Sequence, residues 1–288
     1  MLIIGLDMGG TTTKGVLASE SGILAKTVVV ASDPLAAAAG AIGKLLADKG
    51  IQLDEVEAVA LSGGRTKPLP DKILGLPVRE VDEIEAVGRG GAYLAGMKEC
   101  VVVSAGTGTA VVEVRIDGSR CEVRHLGGTA VGAGTLLGLG RLLLRRTSIT
   151  SLMEMARKGN PKNVDLTVGD IVGGPVGRLD PDVTASNFGK VGDDVRPEDI
   201  AAGLVNMVGQ VIGTVGLFAA KSVGLEESVV LVGGLMTHEL LVNAAMKPFN
   251  LFGGSAIVPR DPQFATAIGA SLKVLAMYTS PVGERYEA

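Results

Sequence analysis

The chain has 288 residues, 47% of them hydrophobic and 20% charged, with a net charge of −4 and a pI near 5.4. This is a globular composition with room for two ordinary domains. The acidic balance argues against a nucleic-acid partner, and the lack of Trp with few other aromatics leaves little to stack bases on. Residues 2–7 are an apolar run that predicts a strand, and 12–19 and 23–31 predict two more around the turn Glu20-Ser21-Gly22. Residues 34–49 are Ala-rich, start at a proline and stop at Gly50, which predicts a helix. Residues 57–61 form a short strand ending in Ser62-Gly63-Gly64-Arg65. After a Pro-rich loop, 78–81 read as a strand and 82–94 show helical periodicity.

The pattern then restarts. Strands are expected over 100–104, 109–116 and 120–126, the last two joined at the hairpin turn Asp117-Gly118. A Leu-rich helix opened by glycines covers 132–146. Further on come a helix over 197–223, a strand over 228–232, a helix over 237–247, a strand over 256–259 and a closing helix over 264–277. Residues 200–220 carry no charge and are long enough to span a bilayer. Asn206, Gln210 and the acidic turn before this single segment favour a buried core helix, so no membrane partner is expected. Gly209 and Gly213, four apart on it, permit close helix packing, including at a subunit interface. Cys100 and Cys121 have no metal-ligand spacing around them and read as small buried thiols in a reducing compartment. Without a basic, apolar leader at residue 1, a cytoplasmic location is expected.

A strand, glycine turn, strand unit therefore appears twice, at 7–13 and at 104–109. The expected fold is α/β, with two similar domains, 1–97 and 98–288, whose glycine turns face one nucleotide cleft. The 42 glycines, about twice the usual share of roughly 7%, cluster in such short loops, as backbone brought close to a ligand requires.

The first turn reads Asp7-Met8-Gly9-Gly10-Thr11-Thr12-Thr13-Lys14. Two glycines expose backbone N–H groups as a nest for anionic oxygens, the threonines add hydroxyls and Lys14 adds charge. Asp7 cannot bind phosphate but can hold a hydrated Mg²⁺ that bridges phosphates. The loop is not a P-loop, because its glycines are adjacent and a strand follows. A dinucleotide fingerprint is also absent: the nearest approach, residues 132–138, has the wrong spacing. Gly106-Thr107-Gly108-Thr109 repeats the device, and Gly233-Gly234 follows a strand where backbone would approach a purine or ribose. Glu80, Asp82, Glu83 and Glu85 crowd the start of a helix. Acidic residues there complement the helix dipole, but one could instead accept a proton from a substrate hydroxyl; spacing does not choose among the four.

Taken in order, Asp7-x-Gly-Gly-Thr-x-x-Lys14, Ser62-Gly-Gly, Val81-Asp-Glu83, Gly106-Thr-Gly-Thr109, Gly127-Gly128-Thr129, Gly132-Ala-Gly-Thr135, Ala185-Ser-Asn-Phe-Gly189, Val230-x-Val-Gly-Gly234 and Ala267-Ile-Gly-Ala270 resemble the type II pantothenate kinases. The resemblance spans nearly the whole chain. It implies an actin/hexokinase-like (RNase H-like) fold, a homodimer, and transfer of the ATP γ-phosphate to the 4′-hydroxyl of pantothenate, the first step of coenzyme A synthesis. It also implies Glu83 as catalytic base and Asp7 as holder of Mg²⁺. Gly9, Gly10, Thr11, Thr12, Lys14, Gly106, Thr107, Gly108, Thr109, Gly233 and Gly234 are then the ATP contacts. Arg124, His125, Gly128 and Thr129 become the substrate contacts. In one respect the chain departs from the family: His125 stands where an arginine binds the substrate carboxylate, with Arg124 one residue earlier, on the other face of the strand unless the register shifts. Alternatives are a kinase of the same fold for another hydroxylated substrate, such as pantetheine or a related acid, and a non-catalytic ATP-binding regulator.

Overall fold

The computed structural model describes residues 1–10, 12–64, 69–118, 120–177 and 179–279. In chain order its first half holds β1 (Leu2–Met8), β2 (Thr13–Ser19), β3 (Gly22–Val29), α1 (Pro34–Lys49), β4 (Ala58–Ser62), β5 (Lys72–Ile73), β6 (Leu76–Glu80) and α2 (Glu83–Ala95). Next come β7 (Glu99–Ala105), β8 (Thr109–Asp117), β9 (Arg120–Thr129), α3 (Ala133–Leu144), α4 (Ile149–Ala156), β10 (Leu166–Thr167), α5 (Val168–Val172) and β11 (Thr184–Ser186). The remainder is α6 (Pro197–Ser222), β12 (Val229–Val232), α7 (Glu239–Phe252), β13 (Ala256–Ile257) and α8 (Ala265–Thr279). The chain divides into two units. One comprises Met1–Val102, Val112–Leu126 and Pro259–Ala288, the other Val103–Val111 and Gly127–Val258.

The two main sheets follow one plan. The first runs β3-β2-β1-β4-β6-β5 and the second β13-β12-β7-β8-β9. Read from the hairpin side, β3-β2-β1-β4-β6 matches β9-β8-β7-β12-β13 strand for strand. In both, the last two strands of the match are parallel. The repeat that the glycine turns suggest is therefore carried by strand order, although the two halves share no more than short motifs.

In the first unit the sheet is covered on both faces, as expected where strands run parallel. Ile4, Leu6 and Met8 of β1 and Val59 and Leu61 of β4 pack on Ala38, Ile42 and Leu45 of α1. The alternate residues Ile3, Ala58 and Ala60 pack on α2 and α8 through Ala86, Ala270 and Val274. Helix α1 starts where Asp33 accepts the Ala36 N–H at 2.7 Å and ends where Gly50 turns left-handed, with φ 65°. The closing helix α8 sits unusually near its neighbours. A Cβ on Gly90 would lie 1.7 Å from the Ala265 carbonyl oxygen, and one on Gly269 would lie 1.8 Å from that of Ala86. Only glycine permits this crossing.

In the second unit α6 is the long apolar helix. It is long and apolar enough to cross a membrane, and 67% of its most apolar stretch is buried within the protein. Gly209 and Gly213 pack on α7 of the same unit, where a Cβ would meet Ala244 Cβ at 2.4 Å and Ala245 O at 2.0 Å. Their close packing is thus spent within the chain and not at a subunit interface. The polar residues of α6 enter a buried network: Asn206 donates to Asp165 Oδ2 at 2.7 Å and accepts from Lys247 Nζ at 2.6 Å and from Gln210 Nε2 at 3.1 Å. Asp165 also accepts the backbone N–H of Phe188 at 2.9 Å, fixing the Ala185–Gly189 turn, in which Phe188 takes a left-handed φ of 58°.

Candidate active site

Parallel strands tend to bind ligands beyond their carboxyl ends. In the first unit β1 pairs in parallel with β4, and β4 with β6, so Asp7, Ser62 and the segment 80–83 stand side by side at that edge. Asp7 is in register with Ser62 on one side and with Lys14 on the other. The Asp7 side chain is only 13% exposed, and its carboxylate accepts from Lys14 Nζ at 3.2 Å. Burial pushes the Asp7 carboxyl above its ordinary range, while the neighbouring ammonium pulls it back down. Gly9 keeps the turn tight: a Cβ there would lie 2.8 Å from Thr12 O and 3.3 Å from Lys14 Nζ. Gly10 opens on space, with nothing within 4 Å of such a Cβ. Thr12 is half-buried beside it, and Thr11 lies outside the described residues.

The second part of the site is the entry to α2. Two of its four carboxylates are committed. Asp82 caps the helix by accepting the Glu85 N–H at 3.0 Å. Glu85 is paired with Arg89 Nε at 2.9 Å and Lys273 Nζ at 3.0 Å. Glu83, the first helical residue, is raised above its ordinary range by burial first, then by the negative charges of Asp7 and Asp82, with Lys14 opposing. Glu83 is therefore electrostatically coupled to the Asp7–Lys14 pair, and it borders a cavity of about 240 Å³ lined also by Leu61, Gly63, Glu80, Val81 and Asp82. A carboxylate with a raised pKa at a cavity mouth is suited to accepting a proton near neutral pH.

Sequence reading leaves one contributor unremarked. Gly63 follows β4 with φ +103°, and a Cβ on it would lie 2.9 Å from Asp7 Oδ1 and from the backbone N and O of Met8. This glycine lets the β4 end press against Asp7. The signal was present in the run Ser62-Gly63-Gly64, but only the strand register shows which residue the glycine accommodates.

The second unit carries a matching corner. Gly106 N–H donates to Gly108 O at 2.9 Å, closing the turn between β7 and β8. The carbonyls of Gly106 and Thr107 accept the N–H groups of Ala133 and Gly134, each at 2.9 Å, and so satisfy two of the four donors at the start of α3. Thr109 donates to Val131 O at 2.8 Å. Gly233 has φ +97°, and its Cβ would lie 2.5 Å from Ala105 O, so β12 presses on the end of β7 much as β4 presses on β1. Gly234 has open space at the Cβ position.

On β9 the four residues expected at the substrate are separated. Arg124 donates to Glu113 Oε2 through Nε at 2.7 Å and also through its terminal nitrogen. Glu113 is buried, receives Arg115 as well, and is held below the usual carboxylate range by these hydrogen bonds and charges despite its burial. Arg124 thus already has a buried partner. His125 is exposed and, by strand alternation, projects from the other face. Gly128 lies so near β8 that a Cβ would be 2.2 Å from Thr109 O, and the Thr129 hydroxyl accepts the Val131 N–H at 3.2 Å.

A family model described as Fumble matches residues 99–273. The chain belongs to the Fumble family, that of the type II pantothenate kinases. A protein named type II pantothenate kinase from Bacillus anthracis is 28% identical to this Fumble chain over 279 residues, covering 93% of it and 96% of the relative. One from Oceanobacillus iheyensis is 33% identical over 186 residues, 62% of the Fumble chain and 67% of the relative. Among solved structures, the activator of 2-hydroxyisocaproyl-CoA dehydratase from Clostridium difficile with bound ADPNP is similar with a TM-score of 0.65 at 19% identity, covering 96% of this chain and 94% of that one. The ROK hexokinase from Thermus thermophilus gives 0.56 at 18% identity, with 94% and 98% covered. These likenesses place the Fumble chain in the actin/hexokinase-like fold, as expected from its sequence.

Proposed function

We propose that this chain transfers the γ-phosphate of ATP to the 4′-hydroxyl of pantothenate, the first step of coenzyme A synthesis. The observation that carries this reading is the buried Asp7–Lys14 pair set beside Ser62 and the entry to α2 at the carboxyl ends of β1, β4 and β6, in a chain whose relatives over nearly its full length are named type II pantothenate kinases. In this reading Glu83 accepts the proton of the attacking hydroxyl and orients it. Lys14, Gly9, Gly10 and Thr12 receive phosphate oxygens. Gly106 to Thr109, Gly233 and Gly234 are nucleotide contacts in the second unit. His125, Gly128 and Thr129 are substrate contacts, while Arg124 supports them through Glu113. Catalysis rests on positioning and charge stabilisation, as phosphoryl transfer requires.

Mg²⁺ fits the donors present. Among the described residues no group of three His, Cys, Asp or Glu side chains is arranged to hold a metal. Mg²⁺ commonly keeps several waters and binds one or two carboxylates plus substrate phosphates, and Asp7 offers that single carboxylate. When bound, the ion would neutralise charge on the transferring phosphate. A homodimer in the cytoplasm is proposed from the family resemblance.

The test is ADP release by the purified protein with Mg-ATP, with and without pantothenate, and with the product weighed for one added phosphate. Pantothenate-dependent release supports the reading. Release only with pantetheine, which lacks the carboxylate, would reassign the substrate and fit the exposed imidazole of His125. No release with either, while ATP still binds, would overturn the pantothenate assignment and leave a kinase for another hydroxylated acid or a non-catalytic ATP-binding regulator.

A further inference from the structure

In the first unit two buried polar atoms have no hydrogen-bond partner among the described residues, Gln263 Oε1 and the Ser62 hydroxyl, and Ser62 is the one in register with Asp7. Ser62 is 1% exposed, and its hydroxyl oxygen has no hydrogen-bond partner among the described residues. Burying an unpaired hydroxyl is unfavourable, so its retention calls for a compensating use. Its position suggests that use. Residues alternate between faces along β4: Val59 and Leu61 belong to the core on α1, Ala58 and Ala60 to the core on α2 and α8. Ser62 therefore projects on the second face. Asp7 projects there too, because Ile4, Leu6 and Met8 take the α1 face. The two residues are in register on adjacent parallel strands, about 4.8 Å apart along the hydrogen-bonding direction. A serine hydroxyl can turn about χ1 among three staggered positions and donate to whatever acceptor is near.

The chain supplies its own comparison. At the matching end of β12 stands Val232, fully buried and apolar, again followed by a glycine with positive φ. The strand-end architecture works with an apolar residue at this place, so the fold itself does not call for the hydroxyl of Ser62.

We infer that Ser62 is a positioning residue for Asp7, whose hydroxyl replaces Lys14 as hydrogen-bond donor once Lys14 turns to a nucleotide phosphate. In this structure Asp7 accepts from Lys14 at 3.2 Å and the Ser62 hydroxyl has no partner among the described residues. With nucleotide, the ammonium moves towards phosphate oxygens and the carboxylate loses its tether. Ser62 then holds the carboxylate in its aim. This rests on the proposed roles of Asp7 and Lys14.

The test compares Ser62→Ala and Ser62→Thr in the full-length protein. Because the hydroxyl is unpaired in the free protein, Ser62→Ala should leave its Tm unchanged or slightly higher. The rise in Tm caused by a non-hydrolysable ATP analogue with Mg²⁺ should be smaller than in the wild type. With pantothenate, kcat should fall about tenfold, as loss of one hydrogen bond to a charged group implies, while KM for pantothenate is unchanged. Ser62→Thr, which keeps the hydroxyl, should restore most of both effects. A Ser62→Ala protein with the wild-type analogue shift and the wild-type kcat would overturn the inference. So would a fall in Tm of the free protein, which would give the hydroxyl a structural role. Wild-type protein that binds the analogue but never phosphorylates pantothenate would instead strike the functional reading, and the analogue shift would still decide on Ser62.

Discussion

At the end of β1 stand Asp7, Lys14 and Ser62, with Glu83 near enough to feel their charge. At the matching end of β7 stand Ser104 and, on β12, Val232, with the intervening turn hydrogen-bonded to itself and to the start of α3. Both corners are closed by a glycine in the left-handed half of φ space, at 103° and 97°. The backbone is shared; the charges are not. The first corner holds a buried carboxylate, a raised glutamate and an unpaired hydroxyl. At the second corner the backbone groups close on one another. An unsatisfied hydroxyl in register with a buried carboxylate sets the first corner apart, since a fold alone would pair or remove it.

The sharpest way to break that comparison is Glu83→Gln. If the first corner carries the chemistry, kcat should drop by about 10²–10⁴-fold with ATP affinity nearly unchanged, measured by ADP release and by calorimetric titration. Near-normal turnover would take Glu83 out of its role. A smaller pair of effects comes from Gly63→Ala and Gly233→Ala. Each places a Cβ in strained backbone, costing about 1–3 kcal/mol in chemical denaturation. Gly233→Ala should cost more stability, because its Cβ would meet the Ala105 backbone at 2.5 Å, whereas the nearest atoms at Gly63 are 2.9 Å away. Gly63→Ala should cost more turnover for the stability lost, because one of those atoms is Asp7 Oδ1. The reverse order would erase the contrast between the corners. The smallest effect is on pH dependence. Glu83 must be ionised to accept a proton, so activity falls as pH drops through its raised pKa. Asp82→Asn keeps the helix cap and removes one of the charges that raise Glu83. The acid limb of kcat should move to lower pH, on the order of a few tenths of a unit. A shift to higher pH would contradict the assignment.

Much of this was legible in the sequence because it depends on local signals. The helix over 34–49 has its bounds in Asp33 and Gly50, and the two strand–turn–strand units announce the repeated sheets. In the stretch 147–196 such signals bound only short pieces: Ser148 caps α4, and Thr167 and the left-handed Gly173 bound α5. Its helices α4 and α5 are short, and β10 and β11 are two and three residues long. They are held by distant buried acids: Asp165 fixes Phe188, and Asp199 accepts the N–H of Asn160 at 2.8 Å. Helix α7 was expected to stop at Lys247, before a proline. It continues to Phe252 because Pro248 and Phe249 are buried, and packing outweighs the lost backbone hydrogen bond. In the site, Asp7, Lys14 and the glycines were visible as a motif. That Glu85 is tied up was not, because it is paired with Lys273, almost 190 residues away in the sequence, as well as with Arg89. Ser62 was part of a motif without a role, since only strand register sets it beside Asp7.

The seating of α8 has a consequence for synthesis. The helix lies on β1 so tightly that a Cβ at Gly5 would be 2.1 Å from the Ala267 carbonyl oxygen. A ribosome adding about 5–20 residues per second needs roughly 13–50 seconds to travel between those positions. Throughout that interval the nascent sheet can fold against α1 and α2, but the strip of the other face that α8 will occupy stays open, an apolar surface exposed to chaperones and to misdirected strands. The sheet that β1 opens is therefore completed only after the second unit has been made, by a helix more than 250 residues further along the chain.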